Sequence, residues 1–226
     1  MTVTFEVTVT WGVEGGAMTQ AVRVLLADDH PPLRLGLRVL LDRQPDIAVV
    51  AEAENGEEAL EKILALQPDV AVLDCRLPGL SGPAVAQEIQ RRGLPVHVLA
   101  LSAYDCDRYL AEMWEAGACG YLLKEEPLEH IASAIQQVAR GESLWTASQI
   151  QRIQRHRETE ARWSQLTERE REVLKWMAQG LSNKEIAREL GLTVRTVDFH
   201  VGNILQKLGV VSRLEAVPWA KEHGFL

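Results

Sequence analysis

The sequence predicts an α/β domain built on a doubly wound, parallel five-stranded sheet, followed by a small all-α helix-turn-helix domain. Three observations predict it. Between residues 22 and 140, short β-branched runs alternate with helix-period segments, the pattern of parallel strands joined by crossover helices. From about 146 to 164, "TASQIQRIQRHRETEARWS" is polar and helix-compatible without a sustained apolar face, and reads as a linker. Beyond it the strand pattern stops, and short helices with marked starts take over.

In chain order, the strands are "RVLLAD" (23–28), "IAVVAEA" (47–53), "DVAVLD" (69–74), "HVLALS" (97–102) and "GYLLK" (120–124). The segments between them carry apolar residues at helical spacing, as in "GEEALEKILALQ", where Ala59, Leu60, Ile63 and Leu64 share a face. Upstream, "MTVTFEVTVTW" alternates Val3, Phe5, Val7, Val9 and Trp11 with polar residues, a strand pattern. It is either an added edge strand or the product of a start upstream of Met18, and no function is assigned to it. The expected division is an N-terminal extension at 1–17, the α/β domain at 18–144, the linker at 145–164 and the helical domain at 165–226.

Composition narrows the function classes. The 226 residues are 46% hydrophobic and 25% charged, and no apolar run approaches the roughly 18 residues a membrane span needs. The first twenty residues hold no Lys or Arg, unlike a secretory signal, so a cytoplasmic protein is expected. Cys75, Cys106 and Cys119 are odd in number and lack metal-ligand spacing, as for reduced thiols, with Cys75 a small core filler. Net charge is -8, but residues 163–226 hold nine Lys/Arg against eight Asp/Glu, leaving 15 against 24 upstream. The acidity belongs to the first domain, and a second domain that reads nucleic acid remains compatible with the balance.

The strand ends carry the chemistry. The first strand ends in Asp28 and Asp29 and the third in Asp74, so a parallel sheet gathers three carboxylates at its C-terminal edge, where open α/β sheets place ligands. Like charges there call for a cation, and a hard divalent ion, Mg²⁺, suits a few carboxylates and several waters. Ser102 and Lys124, ending the fourth and fifth strands, bring a hydroxyl and an ammonium to the same edge. That is an equipment set for receiving a phosphoryl group, with Asp74 as nucleophile.

Together "ADDH", "VAVLDCRLPGLSG", "LALSAYD" and "AGACGYLLKEE" resemble the receiver domain of bacterial two-component response regulators over residues 22–140. The resemblance implies a flavodoxin-like fold, with Asp29 a direct Mg²⁺ ligand, Asp28 acting through water and the backbone carbonyl of Arg76 completing the set. It further implies Asp74 as phosphoacceptor, Ser102 and Lys124 as switch residues, and Tyr121 as an aromatic that turns inward. Arg76 and Tyr104 stand where relatives adjust phosphoryl lifetime. Many receivers have Lys-Pro where this chain has Lys124-Glu125, so no cis-proline is expected there.

Downstream, Thr167 with Glu170 and Ser182 with Glu185 fit the S/T-x-x-E capping box. Gly191 suits a left-handed helix end and Thr193 a new start, making a helix-turn-helix. Val197, Val201, Ile204, Leu205 and Leu208 face inward, leaving Arg195, Thr196, Asp198, Phe199, Asn203 and Gln206 outward. "LTEREREVL", "GLSNKEIA" and "TVDFHVGNILQKLGV" resemble the LuxR-type DNA-binding domain over residues 165–217, and the chain is identified as a NarL/LuxR-type response regulator. That resemblance puts Lys184, Thr193, Arg195, Thr196, His200, Asn203 and Lys207 near phosphates or base edges. Many relatives have Lys at Asp198 and some have Lys at Gly202. Here Asp198 removes a phosphate contact or accepts from a cytosine amino group. Leu214, Val217 and Trp219 are apolar candidates for core or dimer packing.

The reading is a non-enzymatic DNA-binding regulator. A sensor histidine kinase phosphorylates Asp74, controlling homodimerisation and binding to double-stranded DNA, with RNA polymerase a further candidate partner. The alternative is a phosphorylation-independent regulator whose receiver only dimerises. An aspartate-dependent phosphatase would need an acid where Arg76 stands, and no Gly-rich phosphate loop follows the first strand.

Overall fold

A computed structural model describes residues 21–226. The alternating run at 1–11 and Met18 lie outside the described residues. The elements run β1 Val22–Ala27, α1 Pro31–Leu41, β2 Ile47–Ala53, α2 Gly56–Leu66, β3 Val70–Asp74, α3 Gly82–Arg92, β4 His97–Ser102, α4 Asp107–Glu115, β5 Gly120–Leu123 and α5 Leu128–Ala139. There follow α6 Ala147–Ser164, α7 Glu168–Ala178, α8 Asn183–Leu190, α9 Val194–Leu208 and α10 Arg213–Glu222.

The strands pair in parallel in the order β2-β1-β3-β4-β5. Strand alternation divides the core into two layers. Leu25, Ala27, Leu73, Val98 and Ala100 face Ile63, Val85, Ile89 and Met113 of α2, α3 and α4. Val24, Leu26, Val72, Leu99 and Leu101 face Leu37, Leu41, Ile131 and Ile135 of α1 and α5. Chain direction across the sheet reverses between β1 and β3, so the crevice of a doubly wound fold opens where Asp28 and Asp74 emerge.

One helix face differs from the periodicity reading. The buried face of α2 is Gly56, Ala59 and Ile63, whereas Leu64 is exposed, because α2 is drawn against the loop after β3. Gly56 permits that approach: a Cβ there would lie 1.7 Å from the Leu80 carbonyl oxygen. On α9, Val197, Ile204 and Leu208 are buried, while Val201 and Leu205 pack at the margin of the cluster.

The segment read as a linker forms α6, 18 residues long. Thr146 and Gln149 make a capping box at its start. Ile153, only 2% exposed, joins the core between the sheet and α2 to α4, and Arg152 reaches Asp105 at 2.6 Å and Asp107 at 2.7 Å. Beside β5, the Trp145 indole donates to the Ala118 carbonyl at 2.8 Å and Gln149 Nε2 donates to the Tyr121 carbonyl at 3.0 Å. Near its other end, Trp163 stacks on Phe225 with ring centroids 4.3 Å apart. One buried isoleucine is too little to produce a visible apolar stripe.

Helices α7 to α10 enclose a separate core of Val173, Leu174, Met177, Ile186, Val197, Ile204, Leu208 and Ala216. Both predicted capping boxes form, Thr167 with Glu170 and Ser182 with Glu185. Gly191 ends α8 at φ 63°, and Thr193 caps α9. Val217 and Trp219 pack against this core, but Leu214 is 82% exposed.

Candidate functional site

At the sheet edge, β1 and β5 each end one residue before the expected position, placing Asp28 and Lys124 just beyond them. Main-chain bonds hold both in line: the Asp28 amide donates to the Ala53 carbonyl at 3.1 Å, and the Lys124 amide to the Ser102 carbonyl at 2.8 Å. Lys124 Nζ bridges two acids, 2.6 Å from Asp28 Oδ2 and 2.8 Å from Asp74 Oδ2. It supplies the compensating charge that adjacent buried carboxylates require. Burial pulls the Lys124 pKa down, but hydrogen bonds to Asp28 and Asp74 outweigh it and hold the ammonium above its usual range.

The other oxygens of these acids are also occupied. Asp28 Oδ1 accepts from the His30 amide at 2.8 Å, and Asp74 Oδ1 from the Arg76 amide at 3.1 Å. Asp29 points to solvent, with His30 Nδ1 at 3.2 Å. Ligand atoms of Asp28, Asp29 and His30 lie within 4.8 Å of one another. Two carboxylates at a wet edge fit Mg²⁺, a hard cation that keeps waters, better than a softer metal. His30 was not among the expected donors, and Asp74 is connected to the group through Lys124. Behind Asp74, Gly82 opens α3, where a Cβ would lie 2.1 Å from the Asp74 carbonyl oxygen.

Ser102 is fully buried, and its Oγ accepts from the Tyr104 amide at 3.1 Å. Tyr121 is 2% exposed and donates its hydroxyl to the Tyr104 carbonyl. Arg76 Nη1 donates to the Tyr104 hydroxyl at 2.6 Å, joining the loops after β3 and β4. Burial pushes the Cys75 thiol up to about 12, as for an inert filler.

In the C-terminal domain, Lys184 and Arg195 are exposed, and the Thr193 and Thr196 hydroxyls hydrogen-bond each other at 2.8 Å. Phe199 is 66% exposed, and Asn203 is half-buried. His200 is half-buried, and its buried Nδ1 has no partner among the described residues. Asp198 Oδ1 accepts from Asn183 Nδ2 at 2.7 Å, a contact the sequence did not reveal. The Lys207 ammonium lies 2.6 Å from Glu170 Oε2, whose residue is 2% exposed, while the lysine side chain itself stays partly exposed. The capping box buries that carboxylate, and a buried carboxylate requires a cation.

A doubly wound domain with acids and a lysine at its ligand edge, attached to a helix-turn-helix, defines a two-module regulator. Residues 24–136 match the response regulator receiver domain family, and residues 164–220 match the family described as bacterial regulatory proteins, luxR family. Over 204 residues the chain is 38% identical to the nitrate/nitrite response regulator protein NarL of Escherichia coli K12, covering 88% of this chain and 94% of that protein. It is 37% identical over 203 residues to the transcriptional regulatory protein LiaR of Bacillus subtilis 168, covering 88% and 96%. The crystal structure of the response regulator ChrA of a heme-sensing two-component system is 35% identical, covers 91% of this chain and 99% of its own, and superposes with a TM-score of 0.54. The chain belongs to the two-component response regulators that carry a receiver domain and a LuxR-type DNA-binding domain. No helix among the described residues is long and apolar enough to cross a membrane.

Proposed function

We propose that a sensor histidine kinase phosphorylates Asp74, and that this controls homodimerisation and sequence-specific binding to double-stranded DNA by a cytoplasmic, non-enzymatic regulator. The observation that carries the reading is the Lys124 bridge between Asp28 and Asp74 at the sheet edge. An Asp74 oxygen attacks the phosphorus of a phosphohistidine; the P–O bond forms as the P–N bond breaks and imidazole leaves. Lys124 then turns from Asp74 toward a phosphoryl oxygen, and Ser102 donates to another. Asp28, Asp29, Asp74 and the Arg76 backbone carbonyl would hold Mg²⁺, which would supply further neutralisation of phosphoryl charge.

Drawing Ser102 toward the new group pulls on Tyr104, whose amide Ser102 already holds. Asp105 and Asp107 follow in the same loop and helix start, and both grip Arg152 of α6. Because α6 ends against the C-terminal domain, the displacement has a physical route to the DNA reader. On that reader, Lys184, Thr193, Arg195, Thr196, Asp198, Phe199, His200, Asn203 and Lys207 form the DNA-facing set, with RNA polymerase a partner on DNA.

Acetyl phosphate with Mg²⁺ is expected to add one phosphoryl group to the wild type, by intact mass, and none to Asp74→Asn. Equal modification of both would overturn the site. If labelling succeeds but a random-sequence DNA pool is retained equally with and without it, the receiver is a dimerisation module only.

A further inference from the structure

Arg34 is buried at 8% exposure, on the core-facing stripe of α1 with Leu37 and Leu41, yet none of the roles above employs it. A guanidinium on an apolar stripe requires partners, and it has three. Nη1 donates to the Asp28 carbonyl at 2.6 Å, Nη2 to Glu54 Oε1 at 2.5 Å, and Nε lies 3.3 Å from Glu52 Oε2. The Arg34 amide also donates to the His30 carbonyl at 3.0 Å, closing residues 28–34 into a ring.

That ring encloses the loop carrying Asp28 and Asp29. Every polar group of Asp28 is then engaged: its amide by Ala53, its carbonyl by Arg34, Oδ1 by His30 and Oδ2 by Lys124. The far side of the clamp is equally firm. The Glu54 amide donates to Glu58 Oε2 at 2.8 Å, and the Gly56 amide donates to the Pro78 carbonyl at 3.2 Å, in the loop after β3. The guanidinium thus connects the loop after β1 to the end of β2, and the Gly56–Pro78 main-chain bond extends the link to the loop after β3; a guanidinium fork suits acceptors held at fixed angles.

We infer that Arg34 is a positioning residue for the metal site: by fixing the Asp28 carbonyl against β2, it sets the affinity of the Asp28 and Asp29 carboxylates for Mg²⁺. The inference rests on the proposed Mg²⁺ role of these acids. Groups that orient metal ligands without touching the metal typically change affinity by about 10- to 100-fold when removed.

The test is calorimetric titration of the full chain with MgCl₂, for wild type, Arg34→Lys, Arg34→Met and Glu54→Gln. Both Arg34 variants are expected to bind Mg²⁺ about tenfold more weakly, with Glu54→Gln between them and wild type. Acetyl phosphate labelling of Asp74 in Arg34→Lys should be slow at limiting Mg²⁺ and return to the wild-type rate at saturating Mg²⁺. A purely structural strut would lower thermal stability without this metal-dependent rescue. Mg²⁺ affinity within twofold of wild type in Arg34→Lys overturns the inference. Should neither Arg34 variant fold, Glu54→Gln decides by the same twofold criterion, since its side chain is two-thirds exposed. A wild type that binds no Mg²⁺ at all would instead overturn the proposed metal role.

Discussion

At the sheet edge, Asp28, Asp74 and Lys124 have side chains no more than 11% exposed and hold one another at 2.6 to 2.8 Å. On the outer face of α9, Arg195, Asp198 and Phe199 stand in solvent, and the hydrogen bond to Asp198 comes from Asn183 on the neighbouring helix. The first arrangement is preorganised by strand ends, so a small added charge meets groups that cannot relax away from it. The second is solvent-exposed and less constrained by packing. Preorganisation carries a liability, however, because removing one member strands a buried charge.

That contrast is broken most severely at Lys124. Lys124→Met leaves Asp28 and Asp74 together without a cation, and should destabilise the Mg²⁺-free receiver by about 3–5 kcal/mol. Differential scanning calorimetry with and without MgCl₂ checks this, and added Mg²⁺ should recover part of the loss. In the wild type, the lysine's raised pKa means its contribution is full below the ordinary value of 10.5 and is lost as pH rises through the raised value.

The C-terminal domain supplies a buried pair of its own, which sharpens the comparison. Glu170→Gln deprives Lys207 of its carboxylate and should cost about 1–3 kcal/mol in a denaturation curve that follows α7 to α10. Burial opposes Glu170 ionisation, but Lys207 and Thr167 outweigh it and lower the pKa from 4.5. The stabilisation is complete above that value and disappears as pH falls through the lowered one. An acid transition of this domain that Lys207→Met leaves unshifted would show that the pair contributes nothing.

The smallest effect belongs to the solvent-exposed surface. Asp198→Lys should leave folding unchanged while steepening the salt dependence of DNA binding by about one unit of slope. Fluorescence anisotropy with a selected DNA fragment, across a salt series, measures it. An unchanged slope would place residue 198 away from the phosphates.

Sequence patterns resolve local geometry well and distant pairing poorly, and particular residues show where the line falls. Strand limits agree within one residue because alternation and turn residues act locally, and the capping boxes at Thr167 and Ser182 span only four positions. The gathering of Asp28, Asp74 and Lys124 followed from parallel topology. That Lys124 joins the other two, that Lys207 belongs to Glu170 across 37 positions, and that Asn183 holds Asp198 depend on long-range packing, which no periodicity encodes. Arg34 did leave a trace, since a charged residue in register with Leu37 and Leu41 marks a cation with an internal partner.

The bonds from Trp145 and Gln149 to Ala118 and Tyr121 have a practical consequence for handling the protein. β5 is one of the two edge strands, and these side chains occupy carbonyls in it and just before it that would otherwise be open templates for strand addition between molecules. A receiver fragment truncated at residue 144 loses that shield and is expected to aggregate, whereas one extended through residue 164 retains it.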